Sequence, residues 1–195
     1  MKILQILIFI SLTFNLNAQV LGSKFDTKNH PKAKGVWATV RYPSGWEAKE
    51  GERPNIVKKF VGDYNGMFVM LSLQILNVGG PVEKECADMN VAEFSDAFSD
   101  KASNQIAFNA KKIRHEEKPA FIYETQSIIE RAGNSAKTTS KVMTVCHKNN
   151  LISVWCSPLI LDFNNQTMTS SGREIKKAES LCFQYFNSLV LMDKY

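Results

Sequence analysis

Four cysteines and three histidines carry the nucleophile, general-base and metal-ligand chemistry of this sequence. The cysteines are Cys86, Cys146, Cys156 and Cys182, and the histidines are His30, His115 and His147. A nucleophile and its base must lie within hydrogen-bond reach of each other. Cys146 and His147 are adjacent, but neighbours on a strand point to opposite faces, so they form no dyad and no metal site with Cys156. No Gly-x-Ser-x-Gly elbow, His-Glu-x-x-His helix or phosphate-binding loop occurs. No Cys-x-x-Cys pair points to redox or zinc chemistry. Glu116-Glu117 and Asp162 read as turn and surface charge, not as an acid–base pair. For binding, Arg41 and Arg53 lie near a Pro-Ser-Gly turn and can hold an anion. Tyr42, Trp46, Tyr64 and Trp155 can line a cleft, or can simply cover the core. The pattern calls for no metal and no cofactor.

The ends of the chain set the compartment. Met1-Lys2 is a short basic start, Ile3 to Phe14 is almost wholly apolar, and Leu16-Asn17-Ala18 ends on a small residue. This is the pattern of a secretory signal peptide spanning 1–18, cleaved after Ala18. The apolar run is shorter than the roughly 20 residues of a membrane span, and no later stretch is a candidate, so no transmembrane segment is expected in the mature chain. Gln19, not Cys, follows the cleavage site, so a lipid anchor is not indicated. A periplasmic or secreted protein follows, in which an even number of cysteines permits disulfides. The net charge is +5, with lysines scattered as Lys58-Lys59, Lys111-Lys112 and Lys176-Lys177. No basic run is interleaved with aromatics, so these are solvated faces and no nucleic-acid partner is expected.

The elements that must position these residues are mostly strands. Residues 19–34 are polar and without period, a flexible lead-in, and 35–195 make one α+β domain. Gly35 to Tyr42 is a strand, ended by Pro43-Ser44-Gly45, with Trp46 just beyond it. Glu47 to Arg53 is a charged loop. Pro54 to Val61 and Met67 to Asn77 are strands around a Gly62 to Gly66 turn. The second of these is apolar on both faces and so central. Cys86 falls in a charged segment after Gly79-Gly80-Pro81. Asn90 with Glu93 caps a short helix reaching about Ala102, with Val91, Phe94 and Phe98 on one face. Phe108 to Glu116 and Ala120 to Arg131 are strands, and Pro158 to Thr169 is a long loop. Ser171-Gly172-Arg173-Glu174 opens a terminal helix whose stripe is Ile175, Ala178, Cys182, Tyr185, Leu189 and Met192.

Thr138 to His147 and Leu151 to Ser157 form a hairpin. A two-residue turn at Asn149-Asn150 sets Val145 opposite Val154 and Met143 opposite Cys156. Cys146 and Cys156 then point to opposite faces, which disfavours a bond between them. The terminal helix should pack on the more apolar face, which carries Cys156. That suggests Cys156–Cys182 and leaves Cys86–Cys146, provided the helices cover opposite faces of the sheet. Free buried thiols are the alternative, and a one-residue slip would exchange the partners.

The strand ending in Tyr42-Pro43-Ser44-Gly45-Trp46, followed by Phe60 and the apolar Met67 to Leu76 strand, resembles the PsbP family and its Ran-binding Mog relatives. Exported bacterial proteins of the DcrB type share this opening. The resemblance implies a PsbP/Mog-like α/β/α sandwich, an antiparallel β-sheet with helices packed on both faces. It also implies a binding or accessory role, and it supplies no catalytic residues to transfer. The four cysteines and the missing lipidation cysteine depart from that pattern.

The expectation is an exported, non-enzymatic protein acting through protein–protein contact, with an inhibitor or immunity role inside that class. The alternative is a small-molecule or lipid carrier with Tyr42, Trp46 and Trp155 around a pocket. A third reading is a hydrolase built on His115 or His147. The surface singled out for binding is Arg41, Tyr42, Trp46, Arg53 and Trp155.

Overall fold

The computed structural model describes residues 21–100, 105–131, 134–162, 167–169 and 172–192. The signal-peptide segment and Ser171 of the expected capping box lie outside the described residues, as do Ala132 and Gly133 of the turn that the sequence predicts over Ala132-Gly133-Asn134. In chain order the strands are β1 (Ser23–Asp26), β2 (Ala38–Tyr42), β3 (Glu47–Glu50), β4 (Ile56–Tyr64) and β5 (Met67–Asn77). Helices α1 (Val82–Asp88) and α2 (Val91–Ala97) follow. Strands β6 (Ile106–His115), β7 (Lys118–Arg131), β8 (Asn134–His147), β9 (Asn150–Asp162) and β10 (Thr167–Thr169) precede helix α3 (Gly172–Asn187) and a last strand β11 (Val190–Leu191). The fold is mixed α and β, dominated by one antiparallel eight-stranded sheet ordered β3-β4-β5-β9-β8-β7-β6, with β10 on β9. A second, three-stranded sheet is ordered β1-β2-β11.

Turn chemistry explains the hairpins. Asn65 and Gly66 both have positive φ (53° and 76°), the requirement of a type I′ turn whose twist matches its strands. Gly62, Asp63 and Tyr64, expected in this turn, instead stay in β4 opposite Val69, Phe68 and Met67. In the β8–β9 hairpin, Asn150 pairs with His147, so the turn is Lys148-Asn149. Val145 lies opposite Ile152 and Met143 opposite Val154, two residues from the expected register. A shift of two keeps every side chain on its expected face, because the strand period is two.

Four expected segments differ. The lead-in is not a tail: Ser23 to Asp26 pair with Tyr42 to Thr39, and the buried Thr27 hydroxyl donates to the Val36 carbonyl (2.7 Å) and accepts from the Ala38 N–H (2.8 Å). The domain therefore begins before residue 35. Glu47 to Glu50, expected as a loop, form an edge strand exposed along its whole length, where charge discourages further pairing. Within the loop expected over 158–169, residues 158–162 are instead the end of β9 and 167–169 are β10 paired back on it, Met168 opposite Leu161. The charged segment around Cys86 is a helix, with Val82 and Cys86 buried four residues apart on one side.

Alternate residues of β7 and β8 divide between two apolar clusters. Ala120, Met143 and Val145 join Leu71, Leu73, Ile152, Val154 and the α3 residues Ala178, Leu181, Cys182, Tyr185 and Phe186. Phe121, Tyr123, Val142 and Cys146 join Val82, Cys86 and Phe94 of α1 and α2. Helix α3 stops at Asn187, short of the expected Met192, because Val190 and Leu191 cross over to pair with Thr39 and Ala38 of β2. Each cluster is tied by a disulfide: Cys156–Cys182 (S–S 2.09 Å) and Cys86–Cys146 (2.00 Å).

Candidate functional site

The cysteines and histidines, with Glu83 and Glu116, are engaged in the scaffold. All four cysteines are paired. His30 Nδ1 accepts from the Lys32 N–H (3.2 Å), and its Nε2 lies 3.3 Å from Glu50 Oε2. His115 Nε2 donates to the Leu189 carbonyl (2.9 Å). His147 is fully buried, with Nδ1 3.9 Å from Glu83 Oε2. Glu83 also accepts from Lys118 Nζ (3.0 Å) and the Lys148 N–H (3.0 Å). Burial pushes its carboxyl up, but the Lys148 N–H, Lys118 and His147 outweigh that and hold it below the ordinary carboxylate range. This cluster binds α1 to the β8–β9 turn. The Glu116-Glu117 pair is a β6–β7 turn with both φ positive (47° and 70°), and the Glu116 carboxylate accepts from the Leu191 N–H (2.8 Å). Its charge thus anchors β11.

The five side chains singled out for binding do not converge. Tyr42 stacks on Phe60 with ring centroids 4.1 Å apart. Trp46 is buried, and its ring lies so close over Gly62 that a Cβ there would sit 2.5 Å from it. Trp46 therefore seals the core and offers no binding surface. Trp155 packs against the other cluster, and its buried indole N–H has no hydrogen-bond partner among the described residues. A single pocket of Tyr42, Trp46 and Trp155 does not form, because Trp155 projects from the sheet on the side opposite to Cys156. Arg41 and Arg53 are exposed. The Arg41 backbone is fixed by Ser188, whose hydroxyl accepts from the Arg41 N–H (2.9 Å).

A groove of about 520 Å³ lies elsewhere, between α3 and the outer strands β6 to β8. Ile113 and Ile122 form its floor, and Phe183 and Glu179 of α3 form its wall. Lys141 enters from β8, opposite Glu124 of β7. Its ammonium lies 2.5 Å from Glu179 Oε1 and 4.6 Å from the centre of the Phe183 ring, an ion pair backed by a cation–π contact. Asn109, with φ 52°, bulges β6 so that the ladder resumes with Lys111 opposite Ile122, which aims Lys111 into the groove. The hydrogen bond and charge of Lys141 hold the Glu179 carboxyl below its ordinary range, and Lys176 and Lys111 add to this. The sequence marks this site only weakly. Its one legible signal is Lys141, a lysine that shares its strand face with the apolar Met143 and Val145.

No family model and no curated protein matches the sequence. Among solved structures, the cyanobacterial PsbP (CyanoP) of Synechocystis sp. PCC 6803 is similar over 87% of this chain and 91% of that one, with a TM-score of 0.50 and 15% identity. The fold is PsbP-like. The groove is flanked by α3 and by β6, the strand at one end of the sheet order. Among the described residues no helix is long and apolar enough to cross a membrane. Two disulfides suit an oxidising, extracytoplasmic setting.

Proposed function

We propose that this chain is an exported, non-enzymatic protein of the periplasm or exterior that acts by holding another protein, as an accessory factor or an inhibitor. The observation that carries the reading is a contrast in side-chain use. Cysteines, histidines and paired glutamates are tied into the scaffold, while Lys111, Glu124 and Phe183 are presented in a groove. The division of β7 and β8 side chains between two clusters supports a sandwich in which α1 and α2 cover one face of the sheet and α3 the other. A binding or accessory role also accords with what the PsbP resemblance implies.

The test is a benzophenone crosslinker placed at Phe183 in the exporting host, with the same probe at exposed Lys24 as reference. One defined protein should be captured at 183 and not at 24, and Lys111→Glu should reduce the yield. Equal, diffuse labelling at both positions would sink the reading. A small-molecule or lipid carrier is the second reading, supported by the apolar floor of Ile113 and Ile122. Native mass spectrometry of the purified chain tests it, since a carrier retains its ligand.

A further inference from the structure

We infer that the groove between α3 and β6 to β8 takes a short acidic segment of the partner, carrying one large apolar side chain next to its carboxylates. This rests on the binding-protein reading above and names the chemistry of the partner.

Two features set that chemistry. The first is apolar. Phe183 is the one large hydrophobic residue of α3 left exposed (36%), while Ile175, Leu181, Tyr185 and Phe186 are buried. It stands beside Ile113 and Ile122, so an aromatic or aliphatic side chain entering there gains apolar contact on two sides. The second is charge. Lys141, Lys111 and Lys176 all act on the Glu179 carboxylate. Glu124 is the other carboxylate lining the groove, so the lining itself balances Lys111 and Lys141 against two carboxylates; Lys176, three residues before Glu179 on α3, adds the excess positive charge at the rim. The Glu179 side chain is 44% exposed and bonds Lys141, whose own side chain is only 10% exposed. Glu179 therefore occupies the approach that an incoming carboxylate would take toward Lys141, and it acts as an internal competitor. Lys111 and Lys176 are both exposed, and a partner carboxylate beside them is favoured by complementarity.

The probe is a fluorescein-labelled peptide, Asp-Glu-Asp-Phe-Asp-Glu-Asp, titrated with the full disulfide-bonded mature chain and followed by anisotropy. A version with Ser for Phe and a version with Lys for every acid are the controls. The acidic Phe peptide should bind, both controls should bind more weakly, and added salt should weaken the complex. Reversing two rim charges, Lys111→Glu with Lys176→Glu, should weaken binding about tenfold. Glu179→Gln should tighten it several-fold by removing the competitor, an outcome that loss of structure would not produce. Phe183→Ser should weaken binding while the chain stays folded, its thermal unfolding midpoint lowered by the lost contacts with Lys141 and Phe186. Equal binding of acidic and basic peptides, or weaker binding in Glu179→Gln, would overturn the inference. If the crosslinker at Phe183 captures a defined protein but the acidic peptide does not bind, this inference fails and the binding-protein reading stands. If the peptide binds as described but no defined protein is captured, the site stands and that reading fails.

Discussion

The apolar cluster that α3 joins is broad; the cluster that α1 and α2 join is a narrow aromatic stack. Helix α3 contributes Ile175, Ala178, Leu181, Cys182, Tyr185 and Phe186 to its side. Helix α1 contributes only Val82 and Cys86, and α2 only Phe94, which stacks on Phe121 at 3.9 Å and on Phe98 at 4.2 Å. A helix of seven residues is too short to be stable alone. Helix α3 has a disulfide of its own, Cys156–Cys182, but the short helices lean on three specific links in place of buried area. These are the Cys86–Cys146 bond, the Glu83 cluster and the Asn90 capping box, in which Asn90 Oδ1 accepts from the Glu93 N–H (3.0 Å) and Glu93 accepts from the Asn90 N–H (2.9 Å). The contrast is between a helix held by area and a pair held by specific links.

Removing the disulfides tests this contrast most strongly. The two bonds close loops of 60 and 26 residues, worth about 4.3 and 3.5 kcal/mol in the chain-entropy account. Cys86→Ala with Cys146→Ala should lower stability in urea by about 4 kcal/mol and expose α1 to hydrogen exchange. Cys156→Ala with Cys182→Ala should cost nearly as much globally while α3 keeps its protection. If α3 is the helix released, the comparison is wrong. Next in size is Gly62→Ala, which drives a methyl group into the Trp46 ring. A loss of about 2 kcal/mol is expected in chemical unfolding, confined to the α3 side and visible as a shift in tryptophan emission. Asn90→Ala should cost about 1 kcal/mol, read as faster exchange in α2 alone.

The smallest effect is in acid. The folded Glu83 carboxyl is held below its unfolded value near 4.5. Its stabilisation is therefore complete above that pH and is lost as pH falls through the lowered folded value. Glu179 titrates in the same direction. Because α1 has little buried area to fall back on, exchange at low pH should rise first in α1 and only later in α3. Simultaneous opening would erase the distinction between the two regions.

Much of this was legible because period-two patterning survives local error. The β8–β9 turn sits one residue earlier than its Asn-Asn pair suggests, yet the faces of Met143, Val145, Cys146 and Cys156 are those expected, since both partners moved in even steps. The Asn90 cap was readable because its signal is local. Strands β1 and β3 were not, since one is short with a single large apolar residue, Phe25, and the other is wholly exposed. Both exist through pairing with β2 and β4. The five side chains singled out for binding do not meet, because nearness in sequence to the Pro-Ser-Gly turn says nothing of Trp155, which is on another strand and in another cluster.

By itself, the sequence determined what is periodic and local: the apolar start, the central β5 strand, the α3 stripe, the Asn90 cap and the face on which each hairpin cysteine lies. These follow from side-chain alternation and backbone capping, which need no distant partner. Only the tertiary structure decided where β3 and β1 pair, that Trp46 is a core seal over Gly62, and that Lys141, Lys111 and Phe183 meet. Lys111, Lys141 and Phe183 come from three elements far apart in the chain. Their meeting depends on how α3 lies across the outer strands, a property of packing that no local pattern encodes.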